Sequence, residues 1–180
     1  MQTISIHNHT FVEYLTAAEI QEEVSKLAKK LSEQYADSPP LFLSILNGSF
    51  MFAADLMRQL TIQPEIQFVK VSTYGNEMES SKEITTFGLE NLEIKDRHVI
   101  ILEDIVDSGF TADFLVNHLQ NQGVASLKLA TLLYKPESFQ GKYVPDFVCF
   151  EIPPLFVVGY GLDYAQKGRE LGSIYQLNNG

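Results

Sequence analysis

The sequence has little of what several specialised classes of protein require. Its 180 residues include one cysteine and no tryptophan, so no disulfide can form within the chain. No apolar run approaches the roughly 20 residues that cross a bilayer, and residues 1–10 lack the basic start and apolar stretch of a signal peptide. Lys and Arg number 13 against 23 Asp and Glu, whereas proteins that bind nucleic acid cluster basic residues. We therefore expect a cytoplasmic protein whose partners are neither nucleic acid nor membrane.

The composition that remains is that of a folded globular protein. Hydrophobic residues make up 45% of the chain, and 12 Phe and 8 Tyr supply bulky core side chains. A chain of this length buries roughly 70% of its unfolded surface in one core, which predicts a single domain over residues 1–180. Cys149 lies in the apolar segment FVCF, a setting typical of a buried small hydrophobe.

The spacing of apolar residues divides most of the chain into alternating strands and helices. A capping box from Thr16 to Glu19 predicts a helix that ends near Tyr35. The later predicted elements are a strand at 41–46, a helix at 50–60, strands at 66–74 and 98–102, a helix at 110–122, and strands at 127–134 and 147–152. Nearly continuous apolar strands that alternate with helices indicate an α/β fold with a mainly parallel central sheet flanked by helices.

Two segments do not follow this alternation. Residues 75–88 are polar and long for a connection, so we expect either a mobile lid or a solvated β-hairpin in which Glu83 to Phe87 pairs as a strand. The sequence favours neither. The stretch from Pro153 is irregular, and residues 153–180 are expected to form a small hood with the N-terminal segment.

The segment most informative about chemistry is Val99 to Thr111, VIILEDIVDSGFT. A buried strand here leads through acids into a turn and a helix. Ligands bind beyond the carboxyl ends of parallel strands, and a helix N-terminus presents free N–H groups to an anion. Gly109 permits close approach of the backbone, while Ser108 and Thr111 add hydroxyl donors. The sequence therefore predicts a phosphate site.

Acids beside this site indicate the kind of phosphate that would bind. Glu103, Asp104 and Asp107 would repel a phosphate alone. A ligand with hydroxyl groups, or a divalent cation, would remove that conflict. A sugar phosphate bound with Mg²⁺ satisfies both conditions.

The segment Glu103 to Thr111 resembles the phosphoribosyl-diphosphate (PRPP) binding motif of type I phosphoribosyltransferases, in which a strand runs into two acids and a loop D-[ST]-G-x-T. Phe110 occupies its variable position. Further landmarks resemble hypoxanthine-guanine phosphoribosyltransferases in particular. They are the diphosphate loop and helix at 46–56, the lid pair Thr73-Tyr74, Lys135, the segments 145–153 and 156–164, and Arg169.

The resemblance implies an enzyme that transfers ribose 5-phosphate from PRPP to N9 of hypoxanthine or guanine, releasing diphosphate. It places the 5′-phosphate on residues 107–111 and the diphosphate at Asn47, Gly48 and Arg169. Asn47 stands where relatives often have Lys or Arg, so a positive charge is missing there. Glu103 and Asp104 would contact the ribose hydroxyls and Mg²⁺.

The same resemblance assigns the purine side of the reaction. Asp107 would be the general acid/base at N7, and Lys135 would donate to the 6-oxo group. Phe156 would stack on the base, the Val157 backbone would read its edge, and Asp163 would approach a second Mg²⁺. A homodimer or homotetramer is expected.

Two other functions are compatible with these residues. One is a xanthine-guanine phosphoribosyltransferase, because the sequence says little about the 2-position of the purine. The other is a non-catalytic PRPP or nucleotide sensor, against which Asp107, Lys135 and Thr73-Tyr74 argue. A kinase or dehydrogenase is remote, since the sequence has no G-x-x-x-x-G-K-[ST] and no G-x-G-x-x-G after its first strand.

Overall fold

The computed structural model describes residues 2–74, 83–90 and 92–178, which form two sheets and three helices. In chain order the elements are β1 Thr3–Ile6, β2 His9–Leu15, α1 Ala17–Gln34, β3 Leu41–Leu46, α2 Phe50–Gln59, β4 Glu65–Tyr74, β5 Glu83–Phe87, β6 His98–Val106, α3 Phe110–Gln120, β7 Ser126–Tyr134, β8 Phe147–Glu151, β9 Val157–Val158 and β10 Ile174–Leu177.

The larger sheet has six strands in the order β5-β4-β3-β6-β7-β8. Strands β4, β3, β6, β7 and β8 are parallel, and β5 is antiparallel to β4 at the edge. One core, which includes Phe42, Ile20 and Leu56, joins α1 and α2 to one face. A second core, which includes Leu43 and Leu115, joins α3 to the other. Alternate side chains of the parallel strands thus pack into helix-covered cores on opposite faces of the sheet, which confirms the predicted α/β fold.

The chain ends form a second, smaller sheet with strand order β1-β2-β10-β9, antiparallel throughout. Its own core contains Ile6, Phe11, Val158 and Tyr175. The region after Pro153 is therefore less irregular than the sequence predicted. Strands of two and four residues are too short to show a period, which is why the pattern missed them.

Helix α1 begins as predicted. Thr16 accepts a hydrogen bond from the Glu19 backbone, and the Glu19 carboxylate accepts one from the Thr16 N–H at 2.9 Å. The strand predicted at 98–102 instead continues to Val106, because Glu103, Ile105 and Val106 still pair with β7. Glu103 and Asp104 thus lie within the strand rather than after it, and Asp107 directly follows the strand.

The polar segment is described in part. Glu83–Phe87 forms β5 and pairs with β4 from Lys70 to Tyr74, as the hairpin alternative predicted. The lid hypothesis falls mainly on residues 75–82, which lie outside the described residues. No helix in the described part of the chain is long and apolar enough to span a membrane.

Candidate active site

Several of the predicted site residues lie at the carboxyl edge of the large sheet. Strands β3, β6 and β7 are adjacent and parallel, so the segments that follow them emerge side by side. These segments carry Gly48, Asp107 and Lys135. A turn that follows β9 adds Gly161 to the same edge, where its Cα lies so close to the Gly48 carbonyl that a Cβ would come within 2.0 Å of that oxygen.

Glu103 and Asp104 form the acidic floor of this edge. Glu103 is 7% exposed, and its Oε2 atom has no hydrogen-bond partner among the described residues. Burial, followed by the neighbouring Asp104 charge, raises the Glu103 pKa well above its usual value. Burial also raises the Asp104 pKa to about 6, although backbone N–H groups and Arg169 oppose the shift. For both carboxylates, burial therefore outweighs the groups that favour the charged form.

The diphosphate loop, residues 47–49, lies directly against this floor. A Cβ on Gly48 would come within 1.6 Å of the Asp104 Oδ2 atom, so any larger residue here would displace the Asp104 carboxylate. The Leu46–Asn47 peptide bond is cis, and Asn47 is exposed. The buried Ser49 hydroxyl donates to the Ile45 carbonyl at 2.5 Å, which attaches the loop to the end of β3.

The phosphate loop, residues 107–111, leads from β6 into α3. Gly109 is the N-cap of α3 with φ +83°, a left-handed conformation that favours glycine. The Phe139 ring lies so close that a Cβ on Gly109 would come within 2.4 Å of it. The Ser108 carbonyl accepts a hydrogen bond from the Gln140 N–H at 3.1 Å. Since the first N–H groups of a helix have no partners within it, this loop suits an anion.

Asp107 and Lys135 form an ion pair with a distance of 2.5 Å between Lys135 Nζ and Asp107 Oδ2. The Lys135 side chain is 10% exposed and that of Asp107 is 48% exposed. The Lys135 N–H also donates to the Val106 carbonyl at 3.0 Å, so β6 and β7 hold the two residues together. The two groups predicted to contact the purine, the Asp107 carboxylate and the Lys135 ammonium, therefore lie in direct contact and carry opposite charges.

The turn at residues 159–169 brings a second cation to the edge. Arg169 donates to the Gly161 carbonyl through Nη1 and pairs with Asp163 Oδ1 through Nη2, both at 2.7 Å. The other Asp163 oxygen accepts the Gln166 N–H at 2.7 Å. Arg169 is thereby held by Gly161, which lies against Gly48 of the diphosphate loop, and its role in binding diphosphate stays a prediction.

Phe156 and Val157 come directly before this turn. Val157 is buried in β9, while Phe156 is 47% exposed. The Phe156 ring meets Tyr164 edge-on at 5.7 Å and lines an apolar pocket of about 240 Å³ with Tyr164, His9, Phe11 and Leu177. The stacking role of Phe156 stays a prediction. Nothing is described of the Thr73 and Tyr74 side chains at the end of β4.

A Mg²⁺ ion would find few protein ligands here. The described residues contain no group of three or more His, Cys, Asp or Glu side chains that could hold a metal. Mg²⁺ keeps several waters and takes one or two carboxylates together with substrate phosphates. The unpartnered Glu103 oxygen and Asp104 fit that requirement, so a metal held largely by water and substrate is compatible with the site.

Three residues near the site were given no role from the sequence: Phe139, and Asp55 and Tyr160, which lie within the landmark segments 46–56 and 156–164. Phe139 supports the phosphate loop, and Tyr160 donates to Asp55 beneath the diphosphate loop at 2.7 Å. A further signal for Tyr160 was the Gly-Tyr-Gly sequence at 159–161, since flanking glycines permit unusual backbone around a large side chain.

Comparisons with known proteins identify the family. Residues 12–165 match the family model described as phosphoribosyl transferase domain. The chain is 40% identical over 157 residues to the hypoxanthine-guanine phosphoribosyltransferase of Bacillus subtilis, covering 87% of each protein. It is 36% identical over 165 residues to the hypoxanthine phosphoribosyltransferase of Escherichia coli, covering 91% of this chain and 93% of that protein.

Solved structures give the same result. A crystal structure of a hypoxanthine-guanine phosphoribosyltransferase from Bacillus anthracis superposes with a TM-score of 0.84 at 33% identity, over 92% of this chain and 96% of that one. Sequence and fold thus agree, and the chain belongs to the phosphoribosyl transferase family, among relatives that are hypoxanthine and hypoxanthine-guanine phosphoribosyltransferases.

Proposed function

We propose that the protein transfers ribose 5-phosphate from PRPP to N9 of hypoxanthine or guanine, forming IMP or GMP and releasing diphosphate. The observation that carries this proposal is the Asp107–Lys135 pair at 2.5 Å, at the start of an anion-binding loop that directly follows the strand bearing Glu103 and Asp104. An acid/base beside a fixed cation suits a planar base that must lose a proton while its carbonyl is recognised. The names of the relatives support the same reaction.

PRPP would lie along the carboxyl edge of the sheet. Its 5′-phosphate would accept hydrogen bonds from the N–H groups and hydroxyls of residues 107–111. Its ribose hydroxyls would donate to Glu103 and Asp104, which gives the unpartnered Glu103 oxygen a donor. Its diphosphate would lie between Gly48 and Arg169, next to the neutral Asn47.

Glu103 and Asp104 would also hold Mg²⁺ through water, and Asp163 would approach a second ion. When bound, Mg²⁺ would neutralise charge on the departing diphosphate. Both Asp163 oxygens already accept hydrogen bonds, from Arg169 and from the Gln166 N–H, so this residue would contact the ion or its waters only as an additional acceptor.

The reaction breaks the bond between ribose C1′ and a diphosphate oxygen and forms a bond from C1′ to purine N9. Positive charge develops on the ribose as the first bond lengthens, and nearby carboxylates stabilise it. The purine must lose one proton, which Asp107 would take at N7. Because Asp107 pairs with Lys135 in the free protein, base binding would exchange that contact for one bond from each residue to the purine.

Lys135 would select the base by donating to its 6-oxo group. Adenine carries an amino group at that position, so two donors would face each other and leave a buried charge without an acceptor. Phe156 would stack on the ring and the Val157 backbone would read its edge. Closure of a lid bearing Thr73 and Tyr74 would exclude water, and assembly into a homodimer or homotetramer is part of the proposal.

The test is product formation from PRPP and Mg²⁺ with hypoxanthine, guanine, xanthine or adenine supplied separately. We expect turnover with hypoxanthine and guanine, little with adenine, and a loss of about 10²-fold in kcat for Asp107→Asn. Turnover of xanthine in place of hypoxanthine would indicate a xanthine-guanine enzyme. Binding of PRPP without turnover of any base would contradict the proposal and indicate a sensor.

A matched control is available on β7, the strand that Lys135 directly follows. Lys128 pairs with Asp146 at 2.7 Å near the start of β7, away from the site edge. Lys135→Gln should raise turnover of adenine relative to that of hypoxanthine, whereas Lys128→Gln should leave this ratio unchanged. Equal effects of the two substitutions would remove Lys135 from base recognition.

A further inference from the structure

We propose that the buried hydrogen bond from Tyr160 to Asp55 is a positioning device for the diphosphate end of the site. The bond joins helix α2, which follows the diphosphate loop, to the turn that carries Arg169. It would thereby fix the separation between the two surfaces that enclose the leaving group. The inference rests on the proposed function and assigns roles to two residues that touch no substrate.

Tyr160 has an unusual backbone that something must hold. Its φ is +49°, between Gly159 at +102° and Gly161 at +98°, and a left-handed conformation is costly for a bulky residue. The side chain is only 2% exposed, and its hydroxyl donates to Asp55 Oδ2 at 2.7 Å. A buried ring with one specific acceptor orients the whole turn.

Asp55 is a suitable fixed point for that hydrogen bond. It lies in α2 and is 7% exposed. Besides Tyr160, it accepts from Gln21 of α1 and pairs with Arg58 one turn later in α2. Burial would raise the Asp55 pKa, but the hydrogen bonds from Tyr160, Gln21 and Arg58 outweigh it and lower the pKa. Asp55 therefore remains charged, which makes it a stronger acceptor for the tyrosine hydroxyl.

Gly161 connects the Tyr160–Asp55 hydrogen bond to the diphosphate end of the site. Its Cα lies against the Gly48 carbonyl, where a Cβ would come within 2.0 Å. Its own carbonyl accepts from Arg169 at 2.7 Å. One residue beyond Tyr160 thus contacts both the diphosphate loop and the cation predicted to bind diphosphate. Without the hydroxyl, the turn can shift relative to α2, and the two surfaces lose their fixed separation.

The test is Tyr160→Phe, which removes one oxygen and keeps the ring. We expect KM for PRPP and the Kd for diphosphate to rise about tenfold, since small misplacements at a reacting centre have large effects, while KM for hypoxanthine stays within about twofold. Tyr175→Phe is the matched control. Tyr175 is 4% exposed, lies in strand β10 of the small sheet and donates to Gln2 at 3.3 Å, so loss of its hydroxyl should change neither constant.

Asp55 gives an independent route to the same answer. Asp55→Asn keeps an oxygen that can accept from Tyr160 and should retain a KM for PRPP near that of the wild type. Asp55→Leu removes the acceptor and should raise KM for PRPP as Tyr160→Phe does. The Tyr160→Phe/Asp55→Leu double variant should have a KM for PRPP no higher than that of either single variant. Comparing the two Asp55 variants decides the matter if Tyr160→Phe is too unstable to assay.

The outcomes separate this inference from the proposed function. A wild-type protein that turns over no base contradicts the proposed function. An active wild type whose Tyr160→Phe variant has an unchanged KM for PRPP overturns the positioning role. Equal rises in KM for both substrates, with a lower melting temperature, would identify the bond as a general contribution to stability and would also overturn it.

Discussion

At the scale of single residues, the free protein keeps two carboxylates where their charged forms are disfavoured. Burial raises the pKa of Glu103 and of Asp104, and Gly48 lies directly against Asp104. An ionised carboxylate in such a place destabilises the folded state relative to the unfolded chain. Substrate hydroxyls and a cation would relieve this cost. The two carboxylates therefore lower the stability of the free protein at a site where binding would restore it.

This cost predicts that Asp104→Asn stabilises the free protein at neutral pH. The folded pKa of Asp104 is about 6, above the unfolded value, so the wild type loses stability as pH rises from about 4 to about 6 and gains none back above it. The free energy of unfolding of the variant should exceed that of the wild type by about 2 kcal/mol at pH 7.5, and the two values should be equal below a pH of about 4. Chemical denaturation across pH measures both.

The exposed Asp37 provides the control for Asp104, since Asp37→Asn should leave the stability curve unchanged. Asp104→Asn should at the same time weaken PRPP turnover. A variant less stable than the wild type at pH 7.5 would mean that Asp104 is already satisfied in the free protein.

Which site residues could be predicted from the sequence depended on whether they share a contiguous motif. Glu103 to Thr111 lies in one strand-loop-helix unit, so local pattern was enough. Asp55 and Tyr160 are 105 positions apart in the chain, and the contact between Phe139 and Gly109 crosses two elements. Such pairs are fixed by tertiary packing, which a single sequence does not contain.

At the scale of elements, the phosphate loop is held by the connection that follows β7. We call residues 136–146 the strap. The Asp113 carboxylate on α3 accepts the Lys142 N–H at 2.9 Å and the Tyr143 N–H at 3.1 Å. Phe139 and Gln140 contact the loop itself. The strap thus connects the first turn of α3 to the loop that precedes it.

This arrangement predicts that Phe139→Ala loosens the phosphate loop. Loss of a partly buried ring should cost about 2 kcal/mol of stability and raise KM for PRPP about fivefold, because a mobile loop must be ordered on binding. KM for hypoxanthine should not change. Steady-state kinetics with each substrate varied in turn, together with thermal unfolding, provide the measurement.

Phe114 is the matched control for Phe139. It is a partly buried phenylalanine of α3 in the same core, and it stacks on His118 away from the loop. Phe114→Ala should lower stability without raising KM for PRPP, and Phe139→Leu should restore most of the lost affinity. If Phe114→Ala raises KM equally, the loop depends on α3 as a whole rather than on the strap.

The elements themselves were predictable where their apolar period was long. The capping box located the start of α1, and the parallel strands stood out because both of their faces are buried. Strand β6 was predicted too short, since Glu103 and Asp104 looked like the beginning of a loop. Backbone pairing with β7 decided the matter instead, and pairing partners are invisible in one strand's sequence.

At the scale of the whole molecule, the charge opposes the substrate proposed for it. The chain has a formal charge of −10, and the site edge holds Glu103, Asp104, Asp107 and Asp163 against the cations Lys135 and Arg169. PRPP and diphosphate are both anions. Long-range electrostatics should therefore slow the approach of PRPP, and capture must rely on short-range groups in the phosphate loop and on Arg169.

This imbalance predicts that moderate salt speeds the capture of PRPP. Raising the ionic strength from about 20 mM to about 200 mM at fixed Mg²⁺ shortens the screening length several-fold, so kcat/KM for PRPP should rise about twofold. The same constant for hypoxanthine, measured at saturating PRPP, should stay level because the base is neutral.

Glu33→Lys and Asp37→Lys add positive charge at exposed positions near the end of α1, opposite the site edge, and should reduce the salt effect without altering kcat. A fall in kcat/KM for PRPP with salt would mean that the local field of Arg169 and Lys135 dominates that of the whole protein.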